Sequence, residues 1–191
     1  VIVLVRPRYI GTLKIWQQPM YMTADKSYLW YYGGEVKYRR KVNSDYEYGT
    51  FDLRYDCDNI PISCSRNGDI LTITGSYTSG STTYNLNLTV DLTSKKKAIF
   101  NGTAVKTNSF YSSNIVFNGE TTAHFYDARY DNPPPQGAHG YLWLRATDNI
   151  ASDDTFHVTS CDVTFDASNE GALYEVVSVT PPTSIGIRLY Y

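Results

Sequence analysis

Three histidines, three cysteines and five glutamates are the side chains of this 191-residue chain best suited to chemistry. Nucleophilic catalysis needs a nucleophile beside a base, and a third group that orients the base. His124, His139 and His157 are scattered along the chain, and no Gly-x-Ser-x-Gly elbow surrounds a serine. His157 and Cys161 stand four residues apart on one extended stretch, a spacing that turns both to one face without an orienting acid. Zinc needs closely spaced ligands, and no His-x-His or Cys-x-x-Cys pair occurs. Asp148, Asn149, Asp153 and Asp154 offer oxygens to a calcium ion, but their spacing is not that of an EF-hand and reads as a solvated loop. Glycoside hydrolysis needs two carboxylates about 5–5.5 Å apart. Glu120 and Glu170 adjoin glycines in turn signals, and only Glu35, Glu47 and Glu175 lie near strand patterns. The reading is of a protein without catalytic residues, metal or cofactor.

The compact jelly-roll xylanases share this chain's size and its Tyr-, Ser- and Asn-rich composition, but none of the five glutamates lies in their motifs. Binding chemistry has more candidates. Tyr28-Leu29-Trp30-Tyr31-Tyr32 is the densest aromatic run, and Trp30, Tyr31 and Tyr32 are candidates for stacking on the apolar faces of sugar rings. The competing reading places Leu29 and Tyr31 in a core, with Trp30 and Tyr32 on a half-covered outer face. Two glycosylation acceptors are present, Asn87-Leu88-Thr89 and Asn101-Gly102-Thr103. Cys57 and Cys64 are close enough in sequence to form a disulfide around Asn59-Ile60-Pro61, which leaves Cys161 over.

The elements that must position these residues are strands. Tyr84, Leu86, Leu88, Val90 and Leu92 alternate with Asn85, Asn87, Thr89 and Asp91, so one face is buried and one wet. Phe51, Leu53 and Tyr55 alternate likewise, as do Ile185, Ile187, Leu189 and Tyr191. Further strands are predicted at 9–16, 28–32, 35–42, 69–77, 98–107, 114–117, 121–130, 141–146, 155–165 and 173–179. Gly33-Gly34, Asn67-Gly68, Ser79-Gly80-Ser81, Asn118-Gly119 and Glu170-Gly171 read as turns, and Asn101-Gly102 as a turn or bulge. The proline run at 133–135 is a surface loop. Within 155–165, Phe156 and Val158 share one parity while Cys161, Val163 and Phe165 share the other. A bulge near Thr159-Ser160 restores both sets to one face and aims Cys161 inward. The expected fold is all-β: one antiparallel β-sandwich domain, jelly-roll or immunoglobulin/pilin-like, over residues 1–191. Its core draws on Leu53, Leu71, Ile73, Leu86, Leu88, Val90, Val163, Phe165 and Ile187.

Eighteen tyrosines and only 19% charged residues, with Ser, Thr, Asn and Gly in surface roles, suggest a protein outside the cell or on a virion. A net charge of −2 offers no basic stripe for nucleic acid, and no apolar run is long enough to insert in a membrane. No leader, transit or lipidation pattern is recognised.

Val1, Ile2, Val3, Leu4 and Val5 are apolar without interruption, and Arg6-Pro7-Arg8 follows as a stiffened link. Such a strand either folds into its own sandwich or adds to a neighbour's sheet. An apolar N-terminal strand ahead of a Tyr/Thr/Asn-rich sandwich, with a Thr-rich hairpin at 69–75 and 82–88, resembles donor-strand filament subunits. Chaperone–usher pilins and the thread filaments of thermoacidophilic archaea are examples. That resemblance implies a structural, non-enzymatic homopolymer subunit, with residues 1–8 as donor strand and linker and identical chains as partners. The alternatives are a jelly-roll coat protein of a small virus, against which the missing basic arm counts, and a carbohydrate-binding adhesin module using surface glycans.

Overall fold

Period-two alternation becomes antiparallel pairing in every strand pair of the described residues. The computed structural model describes residues 8–12, 27–54, 56–58, 61–94, 97–127, 140–147, 154–169 and 173–190, with the backbone alone at 8–12, 27–28, 56–58, 127 and 169. In chain order the strands are β1 (Arg8–Thr12), β2 (Ser27–Tyr32), β3 (Glu35–Val42), β4 (Asp45–Asp52) and β5 (Asp56–Asp58). Then follow β6 (Ile62–Asn67), β7 (Ile70–Ser79), β8 (Thr82–Asp91), β9 (Ala98–Thr107) and β10 (Tyr111–Thr121). The last are β11 (His124–Asp127), β12 (Gly140–Thr147), β13 (Thr155–Phe165), β14 (Tyr174–Thr180) and β15 (Ser184–Tyr190).

These strands make an all-β sandwich. Sheet one has the order β1-β11-β12-β15-β2-β5, sheet two β13-β10-β9-β8-β7-β6, and a small third sheet β14-β3-β4. Sheet two is a meander from β6 to β10, closed by β13 against β10. Its first two hairpins turn through Gly68-Asp69 and Gly80-Ser81. Each glycine has φ +61°, the left-handed backbone that glycine adopts without steric cost. Leu29, Tyr31, Phe125, Leu142, Leu144 and Ile187 of sheet one meet Leu71, Ile73, Leu88, Val90, Phe100, Phe117 and Phe156 of sheet two in one buried core.

The third sheet is held by rings. Tyr38, Phe51 and Tyr174 project from it onto Phe110, Tyr111 and Phe165 at the end of sheet two. Phe51 stacks on Tyr111 at 4.2 Å, and Phe110 meets Tyr174 edge-on at 5.0 Å and Phe165 at 5.3 Å. Such pairs contribute about 0.5–1.5 kcal/mol each beyond the area they bury.

The expected bulge is present: Val116 pairs with Ser160 and Phe117 with Val158, so Thr159 is left over. Phe156, Val158 and Cys161 accordingly all pack against the core. Of the nine expected core residues, Val163 and Phe165 are only half-buried, and Phe165 serves the ring cluster instead.

Three expectations are corrected, and one strand, β6, is additional to those expected. Asn118-Gly119 is not a turn, and Asn101-Gly102 is neither turn nor bulge; all four residues lie inside β10 and β9, with Asn118 opposite Asn101. The glycines make room for rings: a Cβ on Gly102 would meet Phe117 at 2.5 Å, and one on Gly119 would overlap Phe100, the residue directly opposite. The alternation at Phe51–Tyr55 does not continue as a strand, because Leu53 and Arg54 leave the third sheet after β4. β6 was not expected at all, since Ser63, Ser65, Arg66 and Asn67 give it little apolar signal.

Candidate functional site

The outer face of sheet one carries aromatic and charged side chains in register. Arg188, Trp143 and His124 form one cross-strand row on β15, β12 and β11. The Arg188 guanidinium lies 4.1 Å over the Trp143 ring and 4.7 Å from that of Tyr141, distances at which a cation is drawn to the ring face. Tyr126 stacks on Tyr141 at 5.0 Å. Trp30 meets Trp143 edge-on at 5.7 Å, lies across Gly186, and keeps its buried indole N–H without a hydrogen-bond partner.

Of the three expected stacking residues, the structure separates Tyr31 from the other two. Tyr31 is fully buried between the sheets, with its ring 5.6 Å from Phe117 and 6.1 Å from Phe156, so it cannot stack on a sugar. Adjacent strand residues point to opposite faces, which leaves Trp30 and Tyr32 outside. Tyr32 is 49% exposed and 6.4 Å from Trp30.

Beside this aromatic face a cleft of ≈450 Å³ opens over β11 and β12. His124, Tyr126, Trp143, Arg145 and Asp154 line it. Asp154 accepts from Lys97 Nζ at 3.3 Å and from the Thr122 N–H at 3.4 Å. Thr121 donates its hydroxyl to the Arg145 carbonyl at 2.8 Å and ties the end of β10 to β12. Sequence reasoning missed this cleft, because its lining comes from β10, β11, β12 and the residue before β13.

The outer face of sheet two is rich in Ser, Thr and Asn, and both glycosylation acceptors lie there. Asn87 is directly opposite Thr103, and Asn101 directly opposite Thr89. The two triplets therefore face each other head to tail on β8 and β9. Both asparagines are exposed and both line one shallow groove of ≈450 Å³.

Cys64 is a free thiol, half-buried and packed against the core, so the expected Cys57–Cys64 disulfide is not formed in this structure; the Cys57 side chain lies outside the described residues. Burial pushes the Cys64 and Cys161 thiols above their ordinary range, with Asp162 adding to the effect at Cys161. The two sit on opposite edge strands of sheet two. Five interstrand spacings put them roughly 24 Å apart, which excludes a bond within one chain. The bulge also undoes the expected shared face of His157 and Cys161: His157 points out beside Asn118 while Cys161 points in.

The four described glutamates do not all converge: Glu35, Glu47 and Glu175 lie on the third sheet and Glu120 on sheet two. Glu175 accepts from Arg39 at 2.6 Å on the third sheet, whereas Glu120, expected in a turn, lies on the outer side of β10. Among the described residues no three His, Cys, Asp or Glu side chains are grouped to hold a metal, and no helix is long and apolar enough to cross a membrane. The expected donor strand, Val1–Val5, and His139, Asp148, Asn149, Asp153 and Glu170 lie outside the described residues.

The sheets end in six edge strands, which differ in how they discourage pairing. β1, β13 and β14 each carry a register shift, β5 has three residues, and β4 carries Asp45, Glu47 and Asp52. Bulges, short strands and charges all blunt an edge. β6 pairs with β7 in unbroken register from Ile62 to Asn67 and carries one charge, Arg66. No described strand pairs with its other side. Its inward residues Ile62 and Cys64 pack on the core but are only half-buried. Compared with protein-family models, curated proteins and solved structures, the chain finds no match in any of the three.

Proposed function

We propose that the chain is a structural subunit of an extracellular filament or surface assembly, joined by β-strand addition of Val1–Val5 from one copy beside β6 of the next. The observation that supports this is the regular, unguarded β6 edge with its half-covered Ile62 and Cys64. An added strand there would complete the ladder and cover the margin of the core. The lengths match: five extended residues span about 17 Å and the six of β6 about 20 Å. Val1–Val5 would bury about 400–500 Å² of apolar side chain, on the order of 10 kcal/mol before the ordering of the segment is subtracted.

Cys64 provides the test. In a Cys57→Ser, Cys161→Ser background, Val3→Cys is expected to give disulfide-linked ladders of chains through Cys64 under mild oxidation, and deletion of residues 1–5 to abolish assembly. Electron microscopy of the assembled material should show fibres, whereas closed shells would favour the coat-protein reading. Unchanged assembly after the deletion would remove strand addition.

A further inference from the structure

We infer that the cleft beside Trp143 binds the end of a glycan that carries a carboxylate, as uronic and sialic acids do. The site lies on sheet one, apart from the β6 edge of sheet two, and does not rest on the assembly reading. Its shape suits a sugar: ≈450 Å³ is within the range of small-ligand sites and is open on one side. Its aromatic wall is held rigidly. Arg188 covers one side of Trp143 from β15, while the cleft is on the β11 side, where His124 is the ring's cross-strand neighbour. Trp30 braces the indole edge-on. A fixed aromatic face flanked by hydrogen-bonding groups is the chemistry that recognises a sugar ring, which is apolar on its faces and polar at its rim.

The charge of the cleft selects the class of sugar. Asp154 is neutralised by Lys97 at 3.3 Å. Arg145 is exposed, and among the described residues its guanidinium has no hydrogen-bond or ion-pair partner. An unengaged planar fork of donors next to an aromatic wall is matched by a carboxylate taken in bidentate fashion, with the attached ring on Trp143. A neutral sugar would leave that fork unused.

The experiment is titration of the full chain with a sialylated trisaccharide and a uronate-terminated disaccharide, each beside its neutral counterpart, followed by tryptophan fluorescence and NMR. Saturable binding of at least one acidic sugar is expected, with the neutral counterpart weaker by about tenfold or more. Arg145→Gln should remove that preference while the melting temperature stays put, because the side chain is exposed and has no hydrogen-bond or ion-pair partner among the described residues. Arg145→Lys, which keeps the charge but not the fork, should recover only part of it. Equal affinity for acidic and neutral sugars, preference undiminished in Arg145→Gln, or absence of saturable binding to either acidic sugar would each overturn the inference.

Discussion

The indole of Trp30 lies across Gly186, the residue directly opposite it on β15. A Cβ at that glycine would overlap the ring. The same indole meets Trp143 edge-on at 5.7 Å, so a backbone position without a side chain helps set the wall of the cleft on β12.

Gly186→Ala is therefore expected to cost about 1–3 kcal/mol, the usual penalty for forcing an extra methyl into a packed place. It should also change the near-ultraviolet circular dichroism of the tryptophans. Gly80→Ala is the comparison: its added Cβ meets nothing within 4 Å, and only the φ of +61° opposes it. That variant should lose about 1 kcal/mol in urea unfolding with the aromatic spectrum unchanged. An unaltered spectrum in Gly186→Ala would show that Trp30 is not held by this contact.

The third sheet depends on the ring cluster. Phe110 touches Tyr38, Phe51, Phe165 and Tyr174. Phe110→Ala should lower stability by about 2–4 kcal/mol. In hydrogen exchange the amides of β3, β4 and β14 should lose protection before those of β8 and β9. Equal loss across all three sheets would mean that the third sheet is not a separate cooperative unit.

Thr159 decides which face Cys161 takes, by being the unpaired residue of β13. Its deletion should force one apolar set of that strand outward and cost several kcal/mol. In a background lacking Cys57 and Cys64, the intact chain should react slowly with a thiol reagent at neutral pH, because burial raises the Cys161 thiol. The deletion variant should react much faster if Cys161 is the residue turned out. An unchanged rate together with an unchanged melting temperature would place the control of that face elsewhere.

Asp166 accepts from the Ser168 hydroxyl at 2.7 Å and from the Ser168 N–H at 2.9 Å, which hold its carboxyl below the usual range. Asp91 is held down in the same way by Thr93. A depressed folded-state value means that the stabilisation is complete above the ordinary aspartate value of about 3.9 and is lost as pH falls through the lower folded one. Melting temperature should thus fall more steeply below about pH 4 in the native chain than in Asp166→Asn. Parallel profiles would show that the Asp166–Ser168 contact is not formed in solution.

The facing acceptor triplets allow a separation of sequence from space. In a host that glycosylates such sites, Thr89→Ala should remove the glycan of Asn87 and leave that of Asn101, although Thr89 lies directly opposite Asn101. Glycopeptide mass spectrometry gives the answer. Loss of the Asn101 glycan instead would mean that the folded neighbour, not the triplet, governs use.

What the sequence by itself determined is local. Alternation placed β3, β9 and β13 at their observed ends, turned Leu86, Leu88 and Val90 inward and Asn87 outward, and located the bulge near Thr159-Ser160 from a single change of parity. Each of these is a statement about one strand and its two faces, and a period of two records it. What tertiary structure alone decided is which strands meet. Asn118-Gly119 carries a turn signature, yet β10 runs straight through it because β9 and β13 pair on both sides and the ring of Phe100 needs the space. The polar strand β6 exists because β7 supplies its ladder. The cleft gathers Thr121, His124, Trp143 and Asp154 from separate segments, and the facing of Asn87 and Thr103 follows from the register of β8 on β9. Pairing and register are fixed by contacts between residues distant in the chain, and no local pattern encodes them.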